Sequence, residues 1–233
     1  LNNTVDSILP VIVFLPLAIG FVMLFLPNAM KQLTRATTLL VSCLAFAWAI
    51  RVFRNGSADF AWSILQIDTL KLDLLLTAGP LNSFMLLFAM GFGLLITLYS
   101  LKSIGTAVKR PNEYYASIML TIGGSAGILL SNHLLFLLIF WEIVTVSLYL
   151  LISTGGKHSN FAATKSFAMI GASDGAFLLG IALIWTVSGT FVISQIRLGT
   201  TSAVEIMAFL LLMLAAITKA GAMPLHTWLP TSG

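Results

Sequence analysis

Seven stretches of this chain, near residues 8–26, 35–53, 80–101, 114–131, 133–152, 162–187 and 204–222, are long and apolar enough to leave its fold few options. A helix rises about 1.5 Å per residue, so a run of about 20 residues crosses a hydrocarbon layer about 30 Å thick. No water bonds backbone N–H and C=O groups at that depth, and a helix satisfies them within its own segment. The sequence therefore predicts an all-α fold, a polytopic membrane helix bundle with about seven transmembrane helices. Hydrophobic residues make up 58% of the chain and charged residues 9%, which sets aside water-soluble classes.

The few charges carry the remaining information. Lys31, Arg35, Lys102, Lys109, Arg110, Lys157 and Lys165 fall on one side of such a bundle, and Arg51, Arg54, Lys71 and Arg197 on the other. Counted by loop, this bias predicts a multi-pass protein with its N-terminus outside, although Arg51 and Arg54 run against the trend. The basic excess is small and scattered, so no nucleic-acid footprint is expected. The first apolar stretch has no basic region before it and no small-residue cleavage pattern after it, and reads as a span rather than a cleavable signal. Cys43 is expected to be a small buried hydrophobe, and His133, His158 and His226 to be interfacial side chains on separate segments, with Trp228 beside the last of them. No CxxC, paired-histidine or clustered-acid spacing points to iron–sulfur, haem or zinc chemistry, so no metal and no cofactor are expected in this chain.

Residues 54–79 alternate apolar and polar side chains (FAWSILQI, then TLKLDLLL), a period of two that predicts a hairpin or two extended segments on the outer surface. The polar intramembrane residues all lie beyond it. That asymmetry divides the chain into scaffold helices over 1–113 and an ion-path region over 114–233.

Lys219 stands at the end of the uncharged run from Ile206 to Ile217. An ammonium at bilayer depth costs at least about 2.5 to 3.5 kcal/mol, so such a residue suggests a use. Glu142 follows Trp141 about ten residues into the fifth span, near mid-bilayer by helical rise. Desolvation disfavours its charged form and a nearby ammonium favours it, so the site can hold or release a proton. Asp174 lies at a similar place in the sixth span. Gly171 and Gly175 flank it in a small-xxx-small pattern, as Gly123 and Gly127 do in the fourth span, and such pairs let another helix backbone come close. Pro224, five residues after Lys219, lacks an amide proton and is expected to break the last helix near the lysine. Broken membrane helices are tolerated where they line water or a binding site. Lys165 is read either as a snorkelling side chain or as an inner relay, and His226 as a further relay beyond the break. Three charges at membrane depth on three helices suggest an ion path.

Three segments then carry a resemblance. SNHLLFLLIFWEIVTVSLYLLI resembles the fifth helix of the antiporter-like subunits of respiratory complex I, TKSFAMIGASDGAFLLGIAL their sixth, and AAITKAGAMPLHTWLP their broken seventh. Mrp-type cation/proton antiporters, membrane-bound hydrogenases and formate hydrogenlyases share the module. The resemblance runs from about residue 80 to the C-terminus. It implies that Glu142 and Lys219 correspond to the family's glutamate–lysine switch and that Asp174 takes the sixth-helix acid position, with Ser173 before it where many members have glycine. The resemblance also implies an eighth helix and a second, inverted repeat, which this sequence does not contain. A fragment of a longer chain or one half of a split subunit is the expectation, with other residues or another chain supplying the exit half.

The function expected is therefore an ion-translocating membrane subunit, moving protons or exchanging Na⁺ for H⁺, within a redox-driven complex I-like assembly such as a membrane-bound hydrogenase, formate hydrogenlyase or NADH dehydrogenase. Its partners would be other membrane subunits and the lipid bilayer, in a prokaryotic cytoplasmic membrane. The alternatives are an Mrp-type Na⁺/H⁺ antiporter component and a non-pumping structural subunit.

Overall fold

The structure, a computed structural model, describes residues 5–67, 70–104, 108, 110–155, 159–199 and 202–229. Lys109, Lys157 and His158, read above as loop charges and an interfacial histidine, lie outside the described residues. The chain is mostly helical: α1 (Ile8–Leu24), α2 (Lys31–Asn55), α3 (Pro80–Ser103), α4 (Pro111–Leu130), α5 (Leu134–Ser153), α6 (Ser159–Ser188) and α7 (Ala203–Lys219), with strands β1 (Ala58–Ile67) and β2 (Leu70–Ala78) between α2 and α3. Among the described residues, four segments are long and apolar enough to cross a membrane: Asn28–Asn55, Pro80–Ser103, Leu134–Ser153 and Ser159–Ser188. Ile8–Leu24 is apolar but shorter. The chain folds as two compact units, residues 1–132 and 133–233. Polar content suggested a division at 113/114, whereas packing places α4 with the first unit.

In that first unit α4 is the central helix, packed on α1, α2 and α3 and buried over most of its length. Glycine makes this possible. A Cβ on Gly123 would lie 2.7 Å from Leu17 Cγ and 2.8 Å from the Val13 carbonyl oxygen, so any larger residue would push α1 away. Gly20 on α1 faces back, where a Cβ would lie 3.0 Å from the Ala116 carbonyl. Gly127, one turn beyond Gly123, is also buried. At the ends of these helices the Asn112 amide donates to the Leu26 and Pro27 carbonyls at 3.0 and 2.8 Å and accepts from Thr34 Oγ1 at 2.9 Å. One buried side chain thus ties the exit of α1 to the entries of α2 and α4.

The unit is turned inside out relative to a soluble domain. Thr34, Thr38, Ser42, Thr97 and Ser100 are buried, while Phe92 and Tyr99 on the outer side are 61% and 74% exposed. Hydroxyls pair across helices, as between Ser42 and Thr97 at 3.1 Å, and large apolar side chains face outward where lipid would solvate them. Cys43 follows the same logic. It was expected inside, but the buried face of α2 runs through Thr38, Val41, Ser42 and Ala45, and Cys43 is exposed beside it. The strands pair antiparallel from Ala58↔Ala78 to Ile67↔Leu70 with an irregularity between Ser63 and Leu65. Leu74, Leu76 and Ala78 are buried at every second position, the period of a strand with one covered face.

In the second unit α6 packs against both α5 and α7 around Leu134, Phe177, Ile181, Ile184, Ala208 and Ala215. Gly180 is the glycine of α6 that α7 approaches, with a Cβ there 3.2 Å from the Ala208 carbonyl. A Cβ on Gly171 or Gly175 would meet no atom within 4 Å. The start of α7 is fixed by a capping box, in which Ser202 Oγ accepts from the Val204 amide and Glu205 accepts from the Ser202 amide, both at 3.3 Å. His133 was expected at the interface but is 1% exposed, bridged to Val192 and flanked by the rings of Phe136 and Phe191.

Candidate functional site

Asp174 is 4% exposed at the middle of α6. A carboxylate so placed needs donors, since burying it bare is prohibitive. Two come from α5. Trp141 Nε1 donates to Oδ1 at 2.6 Å and Thr145 Oγ1 donates to Oδ2 at 2.9 Å. Trp141 and Thr145 are four residues apart and so share one helix face. The indole also stacks on Phe177, one turn along α6 from Asp174, with centroids 4.8 Å apart. This contact holds the ring in the plane from which its N–H reaches the acid.

Lys219 is the last residue of α7. Its Nζ donates to the Trp141 carbonyl at 2.6 Å and to Thr145 Oγ1 at 2.8 Å, and lies 4.2 Å from the centroid of the Trp141 ring. The lysine is therefore held by a carbonyl, a hydroxyl and an aromatic face, a cation–π contact included. A threonine hydroxyl has one proton to give and two lone pairs to accept with. Accepting from Lys219 and donating to Asp174, Thr145 makes a continuous line from ammonium through hydroxyl to carboxylate. Each helix of the unit contributes one member.

Glu142 takes a different place. It is exposed on the flank of α5, in line with Ile139 and Val146, which are 50% and 45% exposed. Among the described residues the ion pair present is Arg110–Glu113 at 3.1 Å, so Glu142 and Lys219 are not joined.

α7 stops at the lysine for a reason visible in its last turn. Gly221 takes φ +64°, its N–H bonds the Thr218 carbonyl at 3.0 Å, and the Ala222 N–H bonds the Ile217 carbonyl at 3.1 Å. That is a Schellman motif with glycine at the left-handed position. Pro224 lies exposed three residues further on. Beyond it the chain folds back: Trp228, expected at the interface, is 5% exposed and donates from Nε1 to the Thr218 carbonyl at 3.0 Å. Lys165 Nζ donates to the Thr227 carbonyl at 2.9 Å, so it does not snorkel freely. His226 is half-buried, with a buried Nδ1 that has no hydrogen-bond partner.

The structure thus brings Lys219 and Asp174 together through Thr145, leaves Glu142 unjoined three residues before it, and sets Lys165 and His226 at the fold-back segment. Sequence reasoning missed Thr145 and the main-chain oxygen of Trp141. The spacing Trp141–Thr145, four apart beside an intramembrane acid, is the signal that would have found them.

Residues 131–232 match the family described as NADH:quinone oxidoreductase/Mrp antiporter, TM. A Na⁺/H⁺ antiporter subunit of Alkalihalophilus pseudofirmus is 33% identical over 154 residues, 62% of this chain and 19% of that protein. An NAD(P)H-quinone oxidoreductase chain 4 of Synechococcus sp. is 31% identical over 190 residues, 79% of this chain and 32% of that protein. The chain therefore spans a third or less of the length of these two relatives. In fold it is similar to a chain of the Mrp complex from Dietzia sp., with a TM-score of 0.81 and 21% identity over 96% of this chain and 25% of that one.

Proposed function

We propose that this chain, an antiporter-like relative of complex I-type and Mrp membrane subunits, is an ion-translocating subunit of a redox-driven complex I-like assembly, moving protons or exchanging Na⁺ for H⁺. The observation that carries this reading is the line Lys219–Thr145–Asp174, with Glu142 unpaired three residues before Thr145 on α5. All seven helices would cross the bilayer, with the N-terminus outside a prokaryotic cytoplasmic membrane. α7 would be the first part of a broken helix that resumes beyond the turn at Gly221 and Pro224.

In this mechanism Lys219 alternates between the Thr145 position and another acceptor. While it rests on Thr145 and Trp141, the ammonium stabilises Asp174 through the hydroxyl. As it swings away, Asp174 keeps two neutral donors, Trp141 Nε1 and Thr145 Oγ1, and loses the ammonium behind the hydroxyl. Glu142, next to Trp141 on α5, would receive the ammonium, and its own proton would then be released. His226 would pass protons on from the fold-back segment. Redox chemistry, the driving conformational change and the second half of the route would come from partner subunits.

A second reading, a component of an Mrp-type Na⁺/H⁺ antiporter, is favoured by the sequence similarity to the Alkalihalophilus antiporter protein and by the fold likeness to an Mrp chain. Ion uptake by proteoliposomes holding the native assembly tests both. Glu142→Gln and Lys219→Met, at matched assembly, are expected to abolish uptake or reduce it strongly. Co-purified dehydrogenase or hydrogenase subunits would favour the first reading, and small membrane subunits alone the second. Uptake that persists in both variants would leave the chain a structural subunit.

A further inference from the structure

The segment after Lys219 is fastened at two points, and each fastening traces back to the lysine. On one side Trp228 Nε1 bonds the carbonyl of Thr218, the residue next to Lys219. On the other, Lys165 Nζ bonds the carbonyl of Thr227, the residue next to Trp228, while Thr227 Oγ1 donates to Met169 Sδ at 3.4 Å. Lys165 and Met169 are one turn apart on α6, so the 220–229 segment lies along that face. Between these points a cavity of about 320 Å³, lined by Met169, Ala172, Ser173, Leu214, Thr218 and Leu225, leaves the last turn of α7 room to shift.

Like Lys219 on the Trp141 carbonyl, Lys165 is held by a main-chain carbonyl rather than a carboxylate. A carbonyl does not titrate in the working range and offers Lys165 no proton to exchange. It does form a charge-assisted bond, stronger than one between neutral groups. We propose that Lys165 is a positioning residue for Lys219: its ammonium clasps the fold-back segment to α6, and through Trp228 and Thr218 that clasp sets the helix end from which Lys219 reaches Thr145. The inference rests on the ion-path reading of Lys219.

The test uses the complete chain in its native assembly, comparing Lys165→Met, Lys165→Arg and Trp228→Phe with wild type. Two readouts are taken: hydrogen exchange at the amides of 220–222, and the pH profile of ion uptake in proteoliposomes. Lys165→Met is expected to quicken exchange about tenfold, the scale of one charge-assisted hydrogen bond, and to lower uptake several-fold with a displaced pH profile. Lys165→Arg is expected to restore both, because a guanidinium still bonds the carbonyl and yet releases no proton. Trp228→Phe should act in the same direction as Lys165→Met, loosening the other end.

Unchanged exchange in Lys165→Met would overturn the clasp, whatever the uptake. Restored exchange with uptake still lost in Lys165→Arg would overturn positioning and make Lys165 a proton carrier. If Lys165→Met does not assemble, the comparison passes to the other pair, in which Trp228→Phe must quicken exchange and Lys165→Arg must not. Absence of uptake in the wild-type assembly would instead sink the ion-path reading, an outcome separate from the exchange result.

Discussion

Lys219 and Asp174 meet through Thr145 rather than directly, the ammonium donating to the hydroxyl at 2.8 Å and the hydroxyl donating to the carboxylate at 2.9 Å. A direct pair would neutralise both groups in one contact. An interposed hydroxyl keeps them coupled but separable, since one rotation about the threonine side chain breaks the line without moving a helix.

Thr145→Val keeps the shape and removes the link. Asp174 then keeps only the Trp141 N–H, and Lys219 only the Trp141 carbonyl and ring. Loss of a donor to a buried carboxylate is expected to cost about 1–3 kcal/mol and to lower ion uptake about tenfold or more. Thr145→Ser, which retains the hydroxyl, should stay within about threefold of wild type. Uptake by the two variants at equal assembly checks this.

Trp141 serves twice, as donor to Asp174 and as the face beneath Lys219. Trp141→Phe removes the N–H and keeps an aromatic face, whereas Trp141→Leu removes both. Uptake should fall in the order wild type, Phe, Leu, with the second step reflecting a cation–π contact of about 0.5–2 kcal/mol. Equal losses in the two variants would mean that the ring contributes nothing beyond its N–H.

Gly123 and Gly175 make a contrasting pair. Gly123→Leu places a side chain where even a Cβ would sit 2.7 Å from Leu17, and should destabilise the first unit by about 1–3 kcal/mol, read as a fall in thermal stability. Gly175→Leu enters open space and should leave the thermal stability of this chain unchanged. A drop in stability for Gly175→Leu in the assembly alone would place a partner helix on that face.

Asn112→Ala removes the amide that ties the exit of α1 to α2 and α4. The Leu26 carbonyl loses its Asn112 donor, while the Pro27 carbonyl keeps the Met30 N–H and the Thr34 hydroxyl keeps the Lys31 carbonyl, and a stability loss of about 1–3 kcal/mol is expected. Asn112→Asp should be little better, because a carboxylate cannot donate to the Leu26 and Pro27 carbonyls. Thermal unfolding of the purified variants decides between the two outcomes.

Helix positions were legible because the hydrocarbon layer demands uninterrupted apolar runs, and α2, α3, α5 and α6 show that demand at full length. Lys219 and Asp174 were legible because charge at that depth is costly. Thr145 was not, since threonines on membrane helices commonly bond their own backbone, as Thr97, Thr121 and Thr164 do here, and Thr145 too lies 3.2 Å from the carbonyl one turn back. Burial was the harder quantity. With lipid outside, hydrophobicity no longer separates inside from outside, so Cys43 turned outward, and His133 and Trp228 turned inward on partners that only the folded chain supplies. The stop after Lys219 was attributed to Pro224 because proline is the louder signal, whereas the bonds that close the turn belong to Gly221.

That turn has an electrostatic result. Gly221 ends α7 at Lys219, so the negative end of the helix, with its Ile217 and Thr218 carbonyls already bonded in the turn, sits at the root of the lysine side chain. In the position the structure shows, the ammonium has that helix end as a nearby dipole besides the Trp141 carbonyl and Thr145 hydroxyl it bonds. Gly221→Ala would strain the left-handed residue and loosen that anchorage while leaving every titratable side chain in place.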